Sequence, residues 1–287
     1  MKFLIFAIVF STLNHLLFKA FARWRIDLLS AIVTNYAVCI VIGYSSSIES
    51  FYIGSMFVQA WYPFSVIQGG LLMVCFYLIG LTTEKQGVAV ASIATRLSVA
   101  IPTVMAFLLY DDAVTTLKVI GILAALLALY LSGAEYTGTT RQGQAVKILP
   151  VTLFAAFGVH STLIKFVQAQ YLDNTFYHAY VMAAFLAAFL ISGLGLAWKV
   201  LKQQHTGRWK DLISGLVLGC TNYGSVYFLL RALGVPGWQS SQLFPTISIA
   251  VVTLSSLGAW AVFNERLHRR ILGAIVIGAG SIILVNL

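Results

Sequence analysis

Ten long apolar stretches run through this chain, and they constrain its fold more than any other feature. Each is about 20 residues long, the length of an α-helix that crosses the hydrocarbon core of a membrane. The alternating polarity typical of membrane β-barrel strands does not occur along them. Numbered as spans 1 to 10, the stretches cover residues 3–22, 28–46, 62–82, 88–110, 115–133, 148–168, 176–198, 212–233, 238–263 and 271–287.

The composition of the 287 residues supports the same interpretation. Hydrophobic residues make up 60% of the chain and charged residues only 9%, and the mean hydropathy is +0.90. A soluble globular domain has about 25% charged residues, because it must cover its surface with polar groups. The connections between spans are short. The sequence therefore predicts an all-α polytopic membrane protein, with ten transmembrane helices in a single membrane domain over residues 1–287.

Span 1 also has some features of a cleaved signal peptide. Ala20-Phe21-Ala22 has the small-x-small form of a cleavage site. However, Asn14, His15 and Lys19 interrupt the apolar core, which is smooth in a signal peptide. We therefore expect span 1 to be a helix of the mature protein.

The basic residues are distributed unevenly between the connections. If the N-terminus lies outside, the connections after spans 1, 3, 5, 7 and 9 are cytoplasmic, and they hold twelve of the 18 lysines and arginines. The opposite side holds Lys2, Lys118 and Arg231, while Lys19, Arg96 and Lys165 lie within spans. Because cytoplasmic connections are enriched in lysine and arginine, this distribution predicts that both termini lie outside.

The two halves of the chain resemble each other. Three pairs of segments match in the same order, at offsets of about 150 residues, which is the signature of an internal repeat. With five helices in each half, the second copy enters the membrane from the opposite side. We therefore expect inverted five-helix repeats over residues 1–140 and 141–287, an arrangement that many transporters use for alternating access. The matched segments are 14–19 with 160–165, 76–79 with 227–230, and 110–112 with 263–265.

These motifs resemble those of a known family. An Asn-x-x-x-x-Lys pattern in span 1 (Asn14, Lys19) and an acidic residue after spans 4 and 9 (Asp112; Glu265 in Asn264-Glu265-Arg266-Leu267) are similar to the EamA branch of the drug/metabolite transporter superfamily. The resemblance implies a ten-helix secondary carrier, often an exporter of amino acids, other metabolites or drugs. It implies a cavity lined by spans 1, 3, 4, 6, 8 and 9.

Two features depart from the family pattern. The Gly-Glu that usually follows span 4 is Asp111-Asp112 in this chain. The family is usually drawn with cytoplasmic termini, whereas the basic residues here favour termini outside. The orientation, and with it the choice between export and import, is therefore left open.

Charged residues deep within spans are costly and are candidates for function. Arg96 lies within about 5 Å of the midpoint of span 4 at 1.5 Å rise per residue, and it can bind a carboxylate or phosphate bidentately; the alternative is a structural bond to a neighbouring helix. Lys19 and Lys165 lie near span ends, where they are either gate or coupling residues or extend their amines to the headgroups.

His15 and His160 either bind a coupling proton or the substrate, because imidazole titrates near neutral pH, or form hydrogen-bonded contacts between helices. A metal site is not expected, since two histidines on separate helices are too few ligands for zinc, and we expect no cofactor. All nine acidic residues fall in connections or at span ends. The spans thus hold cations but no deep anions, which favours a negatively charged substrate.

Uncharged polar residues complete the candidate substrate site. Asn14, Tyr77, Asn222, Tyr223 and Gln242 lie on spans that the resemblance places at the cavity, although most polar residues in membrane bundles only link helices. Pro102 and Pro245 are expected to break spans 4 and 9. Gly215-x-x-x-Gly219 in span 8 permits a close approach between helices.

Together these patterns predict a secondary transporter of the inner membrane that moves a small organic metabolite, anionic or amino-acid-like, by alternating access. The expected partners are this solute and the bilayer, with no nucleic acid, and the protein is expected to be a monomer or homodimer without enzymatic activity. Two alternatives are a flippase of the same fold acting on a lipid-linked substrate and an intramembrane lipid-modifying enzyme.

Overall fold

The computed structural model describes residues 2–47, 53–86, 88–110, 114–133, 144–173, 175–202, 207–263 and 269–286, and every regular element within them is helical. The α-helices are α1 (Lys2–Trp24), α2 (Leu28–Ser47), α3 (Tyr62–Gln86), α4 (Val88–Leu97), α5 (Ala100–Leu109), α6 (Thr116–Gly133), α7 (Gln144–Gln170), α8 (Tyr177–Leu201), α9 (Trp209–Leu233), α10 (Ser240–Phe263) and α11 (Arg269–Asn286); a short 3-10 helix covers Ile53–Val58.

The helices follow the predicted apolar spans. Each span corresponds to one helix, except that span 4 is divided into α4 and α5. Within the described ranges, seven helices are long and apolar enough to cross a membrane. The shorter apolar helical segments Ala94–Leu109, Thr116–Leu131 and Leu272–Val285 occupy spans 4, 5 and 10. The chain is therefore an all-helical membrane protein.

A proline explains the break in span 4. Pro102 has no N–H to bond the carbonyl of Ser98, and its ring would collide with that carbonyl in a continuous helix. The Ser98 oxygen instead accepts a bond from the Ile101 N–H at 3.1 Å, and α5 starts anew at Ala100. The predicted break at Pro102 is confirmed.

The predicted break at Pro245 is wrong, because α10 runs through this residue from Ser240 to Phe263. The N–H that Pro245 lacks would bond the carbonyl of Ser241, one residue into the helix. Pro245 is the sixth residue of α10, so its missing N–H removes a single bond near the start of the helix and leaves the later turns intact. The two prolines therefore act differently because Pro102 lies in the interior of span 4, whereas Pro245 lies near the start of α10.

The chain forms two compact units. Unit 1 comprises Met1–Met73 and Phe166–Gly234, and unit 2 comprises Val74–Lys165 and Val235–Leu287. Unit 1 contains α1, α2, the start of α3, α8 and α9. Unit 2 contains α4, α5, α6, most of α7, α10 and α11. Each unit therefore takes helices from both predicted repeats.

In unit 1, small residues bring α2 and α9 together. A Cβ atom added at Gly215 would lie 2.5 Å from the carbonyl oxygen of Ala31, and one added at Gly219 would lie 2.6 Å from Cβ of Val38. The contacting residue of α2 shifts from 31 to 38 as the residue of α9 shifts from 215 to 219. The helices α2 and α9 therefore run parallel. The predicted close approach at Gly215 and Gly219 is confirmed.

A polar cluster, formed by Asp27, Arg208 and Asp211, ties the turn between α1 and α2 to the start of α9. The buried Asp211 carboxylate accepts bonds from Nε of Arg208 and the backbone N–H of Asp27, both at 3.0 Å. Arg208 also donates to the carbonyl of Arg25 at 2.6 Å. Hydrogen bonding to Asp211 raises the pKa of the Arg208 guanidinium, so this side chain stays charged.

In unit 2, α6 packs against α11. A Cβ atom added at Gly121 of α6 would lie 2.9 Å from the backbone nitrogen of Val285 in α11. Lys118 at the start of α6 is buried and its ammonium donates to the side-chain oxygen of Gln239. A separate apolar cluster joins α3, α4 and α7 through Leu78, Ala91, Ala94 and Leu153.

Candidate functional site

A polar network crosses the interior of unit 1. Asn14 of α1 accepts a hydrogen bond from Thr221 Oγ1 at 2.5 Å and donates one to Ser225 Oγ at 3.2 Å, both on α9. The hydroxyl of Ser225 also donates to the carbonyl of Asn222. Since unpaired polar groups are costly inside a membrane, these bonds fix the position of α1 along α9.

The network continues from α9 to α2. The amide of Asn222 donates to Oδ1 of Asn35 at 3.2 Å. Asn35 is fully buried, and the Cys39 thiol one turn later donates to the carbonyl of Gly219 at 3.3 Å. Amide groups from three helices of membrane length therefore meet in one hydrogen-bonded set, which fixes the relative positions of α1, α2 and α9.

Next to this network, a histidine stacks on two tyrosines. Nδ1 of His178 in α8 lies 2.6 Å from the hydroxyl of Tyr223. The imidazole also stacks on Tyr227, with 4.1 Å between ring centroids and 19° between planes. Tyr223 and Tyr227 are themselves nearly parallel, at 9°. We call His178, Tyr223 and Tyr227 the ring stack.

Arg231 lies at the end of the ring stack, in the last turn of α9. Its guanidinium carbon lies 4.7 Å from the ring centroid of Phe3, 5.8 Å from that of Tyr177 and 6.0 Å from that of Tyr227. Ring faces of this kind attract a cation. Chemically, the network and the ring stack offer amide, hydroxyl, imidazole and guanidinium groups, which suit the binding of a polar or anionic solute.

Three predicted site residues are brought together here. Asn14 and Asn222 belong to the polar network, and Tyr223 belongs to the ring stack. His15 and Lys19 lie on α1 in the same unit, but His15 is exposed, with Nδ1 at 2.8 Å from the carbonyl of Ser11 in its own helix. Lys19 is partly buried.

The remaining predicted site residues lie in unit 2. Arg96 is in the last turn of α4, just before the break in span 4. His160 lies on α7 with its Nε2 atom buried and its ring 6.3 Å from that of Phe157. The ammonium of Lys165 lies 5.2 Å from the ring centroid of Tyr110. Their roles in binding, gating or coupling stay predictions.

Two further candidates, Gln242 and Tyr77, also lie in unit 2. Gln242 donates from Nε2 to the carbonyl of Val285 at 3.0 Å, so it links α10 to the end of α11. Tyr77 has an exposed side chain, at 67% of its surface. The acidic turn residues of the family pattern, Asp111, Asp112 and 264–267, lie outside the described residues.

Sequence reasoning missed several residues of this site, among them Thr221, Ser225, Arg231 and His178. Thr221 and Ser225 carry a detectable signal, since they lie one position before and three after Asn222 on the same helix. Arg231 was counted as a connection charge, yet Tyr223, Tyr227 and Arg231 recur every four residues and share one helix face. For His178 no such signal exists, because its relevance comes from the packing of α8 against α9.

Comparisons with known proteins establish the fold. No family model matches the chain. An uncharacterized protein of Haemophilus influenzae is 25% identical over 278 residues, covering 93% of this chain and 91% of that protein. A crystal structure of a protein aligns with 99% of this chain and 94% of its own, with a TM-score of 0.78 and 15% sequence identity. That similarity shows a shared fold and nothing further.

Proposed function

We propose that this protein is a secondary transporter of the inner membrane that moves a small organic metabolite, anionic or amino-acid-like, by alternating access. The observation that carries the proposal is the polar network of unit 1, in which Asn14, Asn35 and Asn222 meet inside helices of membrane length. Polar groups inside a membrane are expensive, and ionisable groups there mark substrate and ion pathways. Beside them the ring stack and Arg231 supply groups that bind a polar solute.

The helix pairing supports an inverted repeat of two sets of five spans. If α1 to α6 and α7 to α11 are the two copies, then α2 corresponds to α8, α5 to α10, and α6 to α11. Each of these pairs packs together. Pairing of equivalent elements is what a two-fold axis produces, and an axis in the membrane plane relates the repeats of many carriers.

A second pair of helix contacts follows the same symmetry. The contact of α1 with α9 in unit 1 becomes, on exchanging the two copies, a contact of α7 with α3. Leu153 of α7 and Leu78 of α3 belong to one apolar cluster in unit 2. This symmetry of contacts, together with the sequence motifs, supports assignment to the EamA branch of the drug/metabolite transporter superfamily as part of the proposal.

Counterflow in proteoliposomes tests this function. Purified protein is reconstituted, the vesicles are loaded with an unlabelled amino acid or carboxylate, and uptake of the same labelled compound is followed without an ion gradient. A carrier exchanges labelled for unlabelled solute, so preloading accelerates uptake. The compounds are first chosen by their ability to raise the midpoint of thermal unfolding.

Two matched variants and two further assays distinguish a carrier from a flippase and from an enzyme. Asn14→Ala removes the link between α1 and α9 and is expected to reduce exchange, whereas Thr152→Ala, an exposed threonine bonded within its own helix, is expected to leave it unchanged. Movement of a fluorescent lipid between leaflets, with no solute exchange, would indicate a flippase. Chemical conversion of a labelled lipid would indicate an enzyme.

A further inference from the structure

The donor groups of Arg231 have no acceptor among the described residues. A guanidinium carries five N–H donors in its plane, and the contacts that Arg231 makes are to the ring faces of Phe3, Tyr177 and Tyr227. Aromatic faces hold the cation but accept few hydrogen bonds. The side chain is partly buried, so its donors are only partly available to water.

No carboxylate in the described part of the chain neutralises this arginine. The nearest acid before α8 in the sequence, Asp173, is exposed and accepts a bond from the backbone N–H of Thr175 at 2.8 Å. The ammonium of Lys2 lies 5.3 Å from the centroid of Phe3, which is also the nearest ring to Arg231. Two cations thus lie around one phenylalanine, and the local charge is positive.

The neighbouring His178 is held by ring and hydrogen-bond contacts and is a second donor in one of its two neutral tautomers. His178 is held by its stack on Tyr227 and by the bond between Nδ1 and the Tyr223 hydroxyl. When that hydroxyl donates to Nδ1, the proton of the neutral imidazole resides on Nε2, which is then a donor. The ring centroid of Tyr227 lies 4.1 Å from that of His178 and 6.0 Å from the Arg231 guanidinium carbon.

All of these groups lie at one end of unit 1. Phe3 is at the start of α1, Tyr177 and His178 are at the start of α8, and Arg231 is in the last turn of α9. The Asp211 cluster lies at the opposite end, at the start of α9. Arg231 therefore lies at the end of unit 1 where α1 begins.

We propose that Arg231, flanked by Phe3, Tyr177 and Tyr227 and assisted by His178, is the recognition site for the carboxylate of the transported solute. A carboxylate matches the planar fork of a guanidinium bidentately, and the surrounding rings suit a flat, apolar group attached to it. This inference names the substrate group for the proposed function, and the claim that the bound solute is transported rests on that function. Binding to Arg231 is measured separately.

Benzoate and benzamide are suitable probes, because they share a flat ring and differ in charge. The midpoint of thermal unfolding of the purified full-length protein is measured against the concentration of each compound, and dissociation constants are obtained from the dependence. Benzoate is expected to stabilise the wild-type protein and benzamide is not. A charge-assisted bidentate pair contributes a factor of about 10 to 100 in affinity, so Arg231→Gln is expected to weaken benzoate binding by that factor.

Two variants separate recognition from structural roles. Arg231→Lys keeps the charge near the end of α9 but loses the bidentate fork, so it is expected to fold and bind benzoate more weakly than wild type. Lys202→Gln removes an exposed cation that lies 4.6 Å from the ring centroid of Trp198 and is expected to bind benzoate like wild type. If Arg231 only stabilises the helix end, Arg231→Lys will bind benzoate with unchanged affinity, and the inference is overturned.

The outcomes distinguish this inference from the proposed function. Benzoate binding that depends on Arg231, without solute exchange in proteoliposomes, would support the carboxylate site and contradict transport. Exchange that is insensitive to Arg231→Gln would support transport and contradict the site. Stabilisation by vesicles of phosphatidylglycerol, with none by benzoate, would show that the arginine recognises a lipid headgroup and would overturn the inference.

Discussion

Single buried polar side chains determine which helices of unit 1 associate. Asp211 is fully buried at the start of α9, and its carboxylate accepts bonds from Arg208 and from the backbone of the turn between α1 and α2. Removing this carboxylate takes an acceptor from the Asp27 N–H, whereas the exposed Arg208 side chain can turn to water. Substitution of Asp211 is therefore expected to lower the stability of the protein.

We expect Asp211→Ala to lower the free energy of unfolding by about 1–3 kcal/mol, because the Asp27 N–H loses its acceptor. Asp211→Asn keeps one acceptor oxygen and should cost less than Asp211→Ala. The measurement is thermal unfolding of each purified variant in the same detergent. Equal stability of Asp211→Ala and wild type would contradict the role given to this cluster.

An exposed residue provides the control for this comparison. Ser45→Ala removes an exposed hydroxyl that donates to the carbonyl of Val41 in its own helix. It should change the stability by less than about 0.5 kcal/mol. A similar loss in Ser45→Ala and Asp211→Ala would show that the assay reports general sensitivity to substitution rather than the cluster.

The sequence identified which residues of the site are polar, but not which of them meet. Asn14 and Asn222 were predicted as site residues, and both belong to the polar network. Their link through the Ser225 hydroxyl could not be predicted, because hydropathy gives the length of a helix and not its rotation about its axis. His178 was missed for the same reason: its partners lie on α9, 45 residues away.

At the scale of elements, glycines set the distance between helices. Gly215 of α9 leaves no room for a side chain, since its added Cβ would lie 2.5 Å from the backbone oxygen of Ala31. Gly195 of α8 has nothing within 4 Å of the equivalent point. The two glycines lie in neighbouring helices of the same unit and differ only in what surrounds them.

We expect Gly215→Ala to destabilise the protein by about 1–3 kcal/mol, because α2 and α9 must separate. Gly195→Ala should be neutral or stabilising, since alanine favours the helix over glycine by up to about 1 kcal/mol. Thermal unfolding of both variants measures the difference. If the two variants behave alike, the close contact between α2 and α9 is absent from the folded protein.

The elements were more predictable than the site. Apolar length placed the helices to within a few residues, because the requirement to cross hydrocarbon dominates their composition. The break at Pro102 was also predictable from the chemistry of proline. The continuity of α10 through Pro245 was not predicted, although the boundary expected at residue 238 already placed this proline close to the start of the helix.

At the scale of the whole molecule, orientation in the membrane is the main open prediction. The basic residues favour both termini outside, whereas the family resemblance favours both inside. The two ends of α8 give a direct contrast. Thr175 precedes the helix, Lys202 follows it, and both side chains are exposed.

We expect Thr175→Cys, in a chain whose cysteines are replaced, to react with a membrane-impermeant maleimide on intact cells. Lys202→Cys should react only after the cells are permeabilised, because the positive-inside distribution places this end of α8 in the cytoplasm. Labelling is read by gel shift. The reverse pattern would show that the termini are cytoplasmic and that Arg231 faces the cell interior.

The parallel pairing of α2 and α9 also constrains how the protein is made. Asn35 and Asn222 are 187 positions apart, so a ribosome working at about 5–20 residues per second needs about 10–40 s to supply the partner amide. During that interval α2 is already inserted while its asparagine lacks its final hydrogen bond. Biogenesis of unit 1 therefore passes through a state in which α2 exists before its amide partner on α9 has been made.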